Sequence, residues 1–370
     1  MRPASTVDGT GQDSVSCANM SSDGPSSPQQ PVTMADIARL AGVAESTVSR
    51  ALKDSNRVSY DMKKRIRALV DQHGYKVNAR ARALRTRKTN TIQVAIPSSR
   101  GTSHRIANTF LSELSSALTE ELSSRGYDML ISKASPWQDV PGADAVAGGR
   151  ADGIIVLGQS NQPEKLADYA ANGAPMVVWG AQIPGQNYVT VGTDNRLGGQ
   201  LVGEHLAKTG RRRIIFFGDL RHDEVRLRQE GCMTALTQAS QEQQTLSVAS
   251  PFDPESAYNS AINFFGGRGA PWHDAVFAAS DVIAMATVQA LRDLNVRVPE
   301  DVAVVGYDDI MVASCYSPAL TTVRQDPELA VKNLVDALVA KMSGEPIRSI
   351  LLPTKLIVRH SCGMSLTPTA

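Results

Sequence analysis

The 370-residue chain carries 38 Lys and Arg against 37 Asp and Glu, with 42% hydrophobic residues and four cysteines. That length and apolar content support two or three domains with their own cores, while no run of eighteen apolar residues is present to span a bilayer. The N-terminus lacks the basic-then-apolar order of a secretory signal; the scattered Cys17, Cys232, Cys315 and Cys362, without CxxC or Cys/His pairing, argue against zinc or disulfide scaffolding and fit a reducing cytoplasm.

Residues 1–30 are rich in Ser, Gly, Pro, Asp and Gln, and such a segment buries too little apolar surface to offset its ordering entropy, so a disordered tail is expected. A basic head follows. Fourteen Lys and Arg against five Asp and Glu between Pro31 and Asn90 give a net charge of +9 there and −8 over the remainder. A basic head on an acidic body points to a polyanionic partner for the head alone, although a solvated charged surface has the same composition.

Within 31–76, Thr33 is a candidate N-cap with Asp36 three residues on, and Met34, Ile37, Ala38 and Ala41 recur at helical spacing. Gly42 supplies a turn. A second helix from about Glu45 to Leu52 buries Val48, Ala51 and Leu52, leaving Glu45, Ser46, Ser49 and Arg50 on an outward stripe. A third, from Ser59, turns Met62, Ile66, Leu69 and Val70 inward and Lys63, Lys64, Arg65 and Arg67 mostly outward. This is the pattern of an all-α helix-turn-helix head whose second helix fits a DNA major groove, although Ala-rich helical hairpins also occur in ordinary cores.

The hinge, 77–90, reads VNARARALRTRKTN, with Asn78 capping a short helix that carries Arg80, Arg82, Ala83 and Leu84. A lone leucine among arginines suits an apolar wedge that parts a minor-groove base step while the arginines neutralise phosphates. A basic linker that orders only on DNA is the alternative.

The body alternates apolar strands with amphipathic helices. TIQVAI (91–96), YDMLIS (127–132), DGIIVLG (152–158), PMVVWG (175–180) and YVTVG (188–192) form one strand series; RIIFFG (213–218), 245–249, AVFAAS (275–280) and VAVVGYDD (302–309) form another. Helices are predicted at 110–125, 164–172, 224–239, 255–265 and 281–294. Two such series predict an α/β body of two lobes with parallel sheets covered on both faces. Ligands in such folds bind beyond the carboxyl ends of the strands, so the candidates include Ser98, Ser99, Arg100, Asp194, Asp219, Arg221, His222, Glu224, Arg228, Asp281, Asp308 and Asp309. Arg, Asp and aromatic side chains such as Phe110 or Phe252 together describe a sugar pocket. Each has a structural alternative: Asp281 capping its helix, Arg228 pairing with Glu224, the two phenylalanines in the core. Enzyme motifs are absent: no GxSxG, no GxxxxGK[ST] and no HExxH is present, so neither catalysis nor a metal or other cofactor is expected.

The stretches TMADIARLAGVAESTVSRAL, NARARALRTRKTNTI, VGTDNRLGG, RLRQEG, VPEDVAVVGYDD and SPALTTVRQD together resemble the LacI/GalR family of bacterial regulators across about residues 33–360. The resemblance implies a periplasmic-binding-protein type I-like body, a homodimer on a palindromic double-stranded operator, and a small-molecule effector, by default a sugar that induces. It puts Glu45, Ser46 and Arg50 at base-reading positions and Leu84 at the wedge, with Thr33, Thr47, Ser49, Asn78, Arg82 and Ala83 as further DNA contacts. Arg228 and Asp281 fall on effector-contacting positions, with Phe110, Asp194, His222, Glu224 and Phe252 beside them. A purine-responsive corepressor, a solute-binding protein and a sugar-modifying enzyme are the alternatives. The implied lobes are 91–192 plus about 322–345, and 193–321 plus about 346–365. Two departures stand out: Ala44 where the family carries a capping Ser, and Val77 where it carries Pro. SCGMSLTPTA shows no leucine heptads of a tetramer-forming tail.

Overall fold

The computed structural model describes residues 32–75, 88–96, 109–133, 144–159, 163–239, 244–267 and 273–363. The tail, the hinge candidates Asn78, Arg82, Ala83 and Leu84, and Ser98, Ser99 and Arg100 lie outside them. The chain divides into a unit ending at Ala79 and one beginning at Arg80.

The first unit contains three helices, α1 (Met34–Ala41), α2 (Glu45–Leu52) and α3 (Tyr60–Gln72). The capping box is present at α1: Asp36 N–H donates to the Thr33 hydroxyl, and Thr33 N–H donates to the Asp36 carboxylate at 3.0 Å. Gly42, at φ 65°, ends α1 in the left-handed region that a Cβ disfavours. Ala44 leaves α2 without a side-chain cap, whereas Ser59 caps α3. Ile37, Val48, Ala51 and Ile66 are wholly buried between the three helices. Leu52, Met62, Leu69 and Val70 pack around them half-buried.

The second unit holds two six-stranded sheets. The first half of the chain supplies β1 (Thr91–Ala95), α4 (Thr109–Ser124), β2 (Asp128–Ser132), β3 (Gly153–Leu157), α5 (Pro163–Ala171), β4 (Met176–Trp179) and β5 (Thr190–Thr193). After these come α6 (Asn195–Lys208), β6 (Arg213–Phe217), α7 (Asp223–Gln238), β7 (Gln244–Val248), α8 (Pro254–Gly266), β8 (Ala275–Ala278), α9 (Asp281–Asp293) and β9 (Ala303–Asp308). The chain closes with α10 (Met311–Cys315), β10 (Thr321–Arg324), α11 (Pro327–Met342), β11 (Ile350–Leu352) and β12 (Lys355–Ile357). Strand order is β11-β5-β4-β3-β1-β2 in one sheet and β12-β10-β9-β8-β6-β7 in the other. The pairs are parallel except β10 with β12, and β3, β4, β8 and β9 are buried along their whole length, as strands covered on both faces must be.

The late strands divide differently from the expected lobes. Thr321–Arg324 pairs with β9 in the second sheet, so the chain crosses after Arg324 rather than at Thr321. Ile350–Leu352 pairs with β5 in the first sheet, which moves the last crossing from about residue 346 to between Leu352 and Lys355. Backbone pairing decides both, and an apolar run of three or four residues gives no hint of its partner. Between those crossings α11 packs against α4 and β4 of the first lobe.

Two local devices fix the frame. Asp152 accepts from Thr89 N–H (2.7 Å), the Thr89 hydroxyl (2.8 Å) and Asn90 N–H (2.8 Å), clamping the start of β1 beside β3. Along the α6–α7 seam the backbones touch: a Cβ on Gly199 would lie 1.8 Å from the Arg228 carbonyl oxygen, and one on Gly231 1.9 Å from that of Arg196.

Candidate DNA interface and effector cleft

In the head, α2 presents Glu45, Ser46 and Arg50 to solvent, with Thr47 and Ser49 half-buried. This follows from its 3.6-residue period, because Val48 and Ala51 are drawn into the core and the stripe between them must face out. Thr33 spends its hydroxyl on the α1 cap and stands at the helix N-terminus. The basic residues of α3 are less free than their number suggests. Asp54, held at φ 56°, gathers Lys63 at 3.1 Å and Arg67 at 3.0 Å, and those partners hold its carboxyl below the usual range. Lys53, Arg57, Lys64 and Arg65 remain exposed.

In the body, the carboxyl ends of the two sheets face each other. Met311 N–H in the second lobe donates to Glu113 of α4 in the first, at 3.0 Å. Burial raises the Tyr188 hydroxyl pKa, Gln159 opposes that rise by donating to it at 3.0 Å, and the negative charges of Asp223 and Glu224 in the second lobe add to it.

Arg228 sits at the centre of this end. Its Nε donates to Asn195 Oδ1 (2.8 Å) and its Nη1 to the Ala279 carbonyl (2.5 Å). Its guanidinium carbon lies 3.6 Å from the centroid of the Tyr307 ring, and Nη1 lies 4.0 Å from Asp308 Oδ1. Arg228 and Asp308 are both buried. The alternative pairing with Glu224 is not formed in favour of these contacts. Burial pushes the Asp308 carboxyl up to about 7, against the lowering influence of Arg228 and Gln325.

Asp281, expected as an effector contact or as the cap of its helix, lies in the interior of the second lobe. It is wholly buried; Thr322 Oγ1 donates to its Oδ1 at 2.6 Å and Ile310 N–H to its Oδ2 at 2.9 Å. Burial first, and Asp308 beside it second, raise its pKa well above the carboxylate range. Each oxygen accepts one bond within the protein, which ties α9 to the turn after β9, while Ser280 caps the helix. Phe110 is buried against Trp179, with ring centroids 5.8 Å apart, which is its core role. Asp194 caps α6 by accepting from Leu197 N–H at 2.9 Å. His222 and Phe252 are half-buried and meet edge to face at 5.7 Å, and Glu224 is half-buried at the start of α7.

Asp308 was one of several carboxylates after strand ends; only the tertiary approach of Arg228 distinguishes it from Asp281. Asn195, Tyr307 and Gln325 carry no distinguishing local pattern beyond lying in TDN, GYDD and VRQD. An apolar hollow between α7 and β7, lined among others by Phe216, Met233, Leu236 and Leu246, has no charged side chain and offers little to a polyhydroxylated ligand. Among the described residues no helix is long and apolar enough to cross a membrane.

An exposed helix-turn-helix stripe in one unit and a two-lobed α/β body in the other are the parts of a ligand-responsive DNA-binding regulator. Residues 33–78 match the model for bacterial regulatory proteins of the lacI family, and 204–362 match a periplasmic binding protein-like domain. The chain belongs to the LacI family and is a DNA-binding transcriptional regulator. It is 33% identical over 341 residues to the HTH-type transcriptional regulator CelR of Thermobifida fusca, covering 89% of this chain and 98% of that protein. It is 30% identical over 344 residues to the HTH-type transcriptional repressor PurR of Serratia proteamaculans, covering 89% and 96%. Among solved structures, the lac repressor dimer bound to operator and the anti-inducer ONPF superposes with a TM-score of 0.78 at 25% identity, covering 90% of this chain and 99% of that one. A CelR–cellobiose complex superposes with a TM-score of 0.64 at 30% identity, covering 89% and 99%. These relatives are transcriptional regulators rather than enzymes.

Proposed function

We propose that this regulator is a cytoplasmic repressor of carbohydrate-utilisation genes, binding a palindromic operator as a homodimer and releasing it when a sugar occupies the cleft. The observation that carries the effector assignment is the buried Arg228–Asp308 pair. A planar fork of donors beside a carboxylate matches vicinal hydroxyls, and the aromatic edge of His222 and Phe252 near the start of α7 suits the apolar face of a ring. The cellobiose held by a CelR structure and the ribose operon repressor among the relatives support the sugar class.

The DNA side rests on Glu45, Ser46, Thr47, Ser49 and Arg50 of α2, with Thr33 at a helix start. On the effector side, Arg228 and Asp308 lead, with Asn195, Tyr188, His222, Glu224 and Phe252 around them; Asp281 and Phe110 hold the frame. The effector acts by binding one lobe arrangement better than the other, which shifts operator affinity by that difference.

A thermal-shift screen of mono- and disaccharides, including cellobiose and ribose, with purines in parallel, tests this, since a tight ligand raises the melting temperature by mass action. A sugar is expected to raise it and to lower operator affinity, and Arg228→Ala to remove both responses. Release of the operator by the same sugar from an Arg228→Ala protein would place the effector elsewhere. Tighter operator binding with a purine, and no response to any sugar, would replace induction with corepression.

A further inference from the structure

The turn that follows β9 is strained and is tied to every place where the chain passes between the lobes. Asp308 has φ 121° and Asp309 φ 57°, two successive non-glycine residues in a region that side chains avoid unless the surroundings enforce it. The surroundings do enforce it. Asp309 is held by Arg324 (2.5 Å) and Arg359 (2.7 Å), and its N–H donates to Thr322. At the first crossing, Thr193 Oγ1 donates to Gln325 Oε1 at 2.6 Å. At the second, Gln325 Nε2 donates to Asp308 Oδ1 at 2.7 Å, and Gln325 N–H donates to the Asp308 carbonyl at 3.1 Å. At the third, Thr354 Oγ1 donates to the Arg324 carbonyl at 2.7 Å.

Thr193, Gln325 and Asp308 are all buried, so water is poorly placed to substitute for any of these bonds. The Gln325 amide is the only one of the three groups that bonds both others, with its donor end on the pocket carboxylate and its acceptor end on the first crossing. Asp308 accepts through the same Oδ1 that lies 4.0 Å from Arg228. Any ligand group that draws Asp308 toward Arg228 therefore pulls on the Gln325 amide, and through it on Thr193.

We infer that Gln325 is a positioning residue for effector response: without touching the effector, its side-chain amide carries the position of Asp308 to the crossing strand at Thr193 and so couples cleft occupancy to lobe arrangement. This rests on the assignment of the effector to the Arg228–Asp308 end of the cleft. A residue that only props the fold would lower the melting temperature and leave coupling intact. A coupling residue does the opposite, leaving both binding reactions and weakening the link between them.

The test uses the full-length protein, its operator, and whichever sugar of the screen shifts the wild-type melting curve, cellobiose being tried first. The variants are Gln325→Met, which keeps volume and removes both bonds, Thr193→Val, which keeps shape and removes the donor, and Thr193→Ser, which keeps the hydroxyl. Sugar affinity and sugar-free operator affinity are expected to stay within about threefold of wild type in all three. The factor by which saturating sugar weakens operator binding is expected to fall about tenfold in Gln325→Met and Thr193→Val, within the usual range of coupling, and to be kept in Thr193→Ser. The double variant Gln325→Met with Thr193→Val should be no worse than either single one, because both cut the same chain. An unchanged coupling factor in Gln325→Met, additive losses in the double variant, or loss of sugar binding itself each overturns the inference. Arg228→Ala run alongside separates the two failures: if it still responds to sugar the cleft assignment fails, and if it does not while Gln325→Met behaves as wild type, only the relay fails.

Discussion

The reading head and the effector cleft use polar residues in opposite ways. In the head the core is apolar, built on Ile37, Val48, Ala51 and Ile66, and Glu45, Ser46 and Arg50 of α2 stand in solvent. In the proposed cleft the candidate effector contacts are themselves interior: Arg228, Asp308 and Asn195 are buried, with Arg228 bonded to Asn195 and Asp308 accepting from the buried Gln325 behind it. An exposed side chain can be exchanged with little cost to folding, so operator preference is free to vary. A buried network cannot be edited at one point without leaving a partner unsatisfied, so effector response is joined to the stability of the body.

The sharpest way to break this contrast is at the head's core. Ile66→Ala should cost about 2–5 kcal/mol, enough to unfold so small a unit and abolish operator binding. Calorimetry should then show the body's transition unmoved, and a common shift of both would mean the units do not fold separately. Asp308→Asn probes the cleft side. With its pKa raised by burial to about 7 against the ordinary 3.8, the folded protein retains a proton that the unfolded chain has lost between those values. Asp308 therefore contributes stability that is full below about pH 4 and is lost as pH rises through about 7, with a slope of up to about 1.4 kcal/mol per pH unit. Melting temperatures of the body measured from pH 4 to 8 should fall for the wild type and fall less steeply for Asp308→Asn, in which the buried Asp281 still titrates, and parallel curves would assign the titration elsewhere.

Smaller effects belong to the exposed side. Arg50→Ala should remove about 1–3 kcal/mol of discrimination between operator and altered sites, and leave the sugar-induced melting shift as it was. Competition footprinting on single-base operator variants would detect it, and an undiminished preference would take base reading away from Arg50. The mildest is Ala44→Ser. It supplies the hydroxyl that α2 lacks at its N-cap and should raise the stability of the head by about 1 kcal/mol, visible as a higher melting temperature of the first transition alone.

The same contrast governs what could be read from the residues in order. Helical periodicity puts Val48 inside and Arg50 outside, and the capping box at Thr33 and Asp36 is a local motif, so the head was legible almost residue by residue. Strands β1 to β9 also declared themselves through apolar runs, within a residue or two at their ends, whereas β10, β11 and β12 did not. Helix α6 did not, because Gly198, Gly199 and Gly203 dilute its helical signal for the sake of its contact with α7. The late crossings were misplaced because β10 and β11 are too short to reveal their partners. Asp281 and Asp308 are both carboxylates after apolar strands; only their tertiary partners, Thr322 and Ile310 on one and Arg228 and Gln325 on the other, tell them apart.

The seam between α6 and α7 bears on all of this. With the Gly199 position touching the Arg228 carbonyl and the Gly231 position touching that of Arg196, the two helices meet backbone to backbone, with no layer of side chains to act as a cushion. Contact that close leaves no slip plane. Arg228 itself bonds Asn195, at the first residue of α6 and two beyond Thr193, so a displacement of Arg228 would have to be taken up by both helices together.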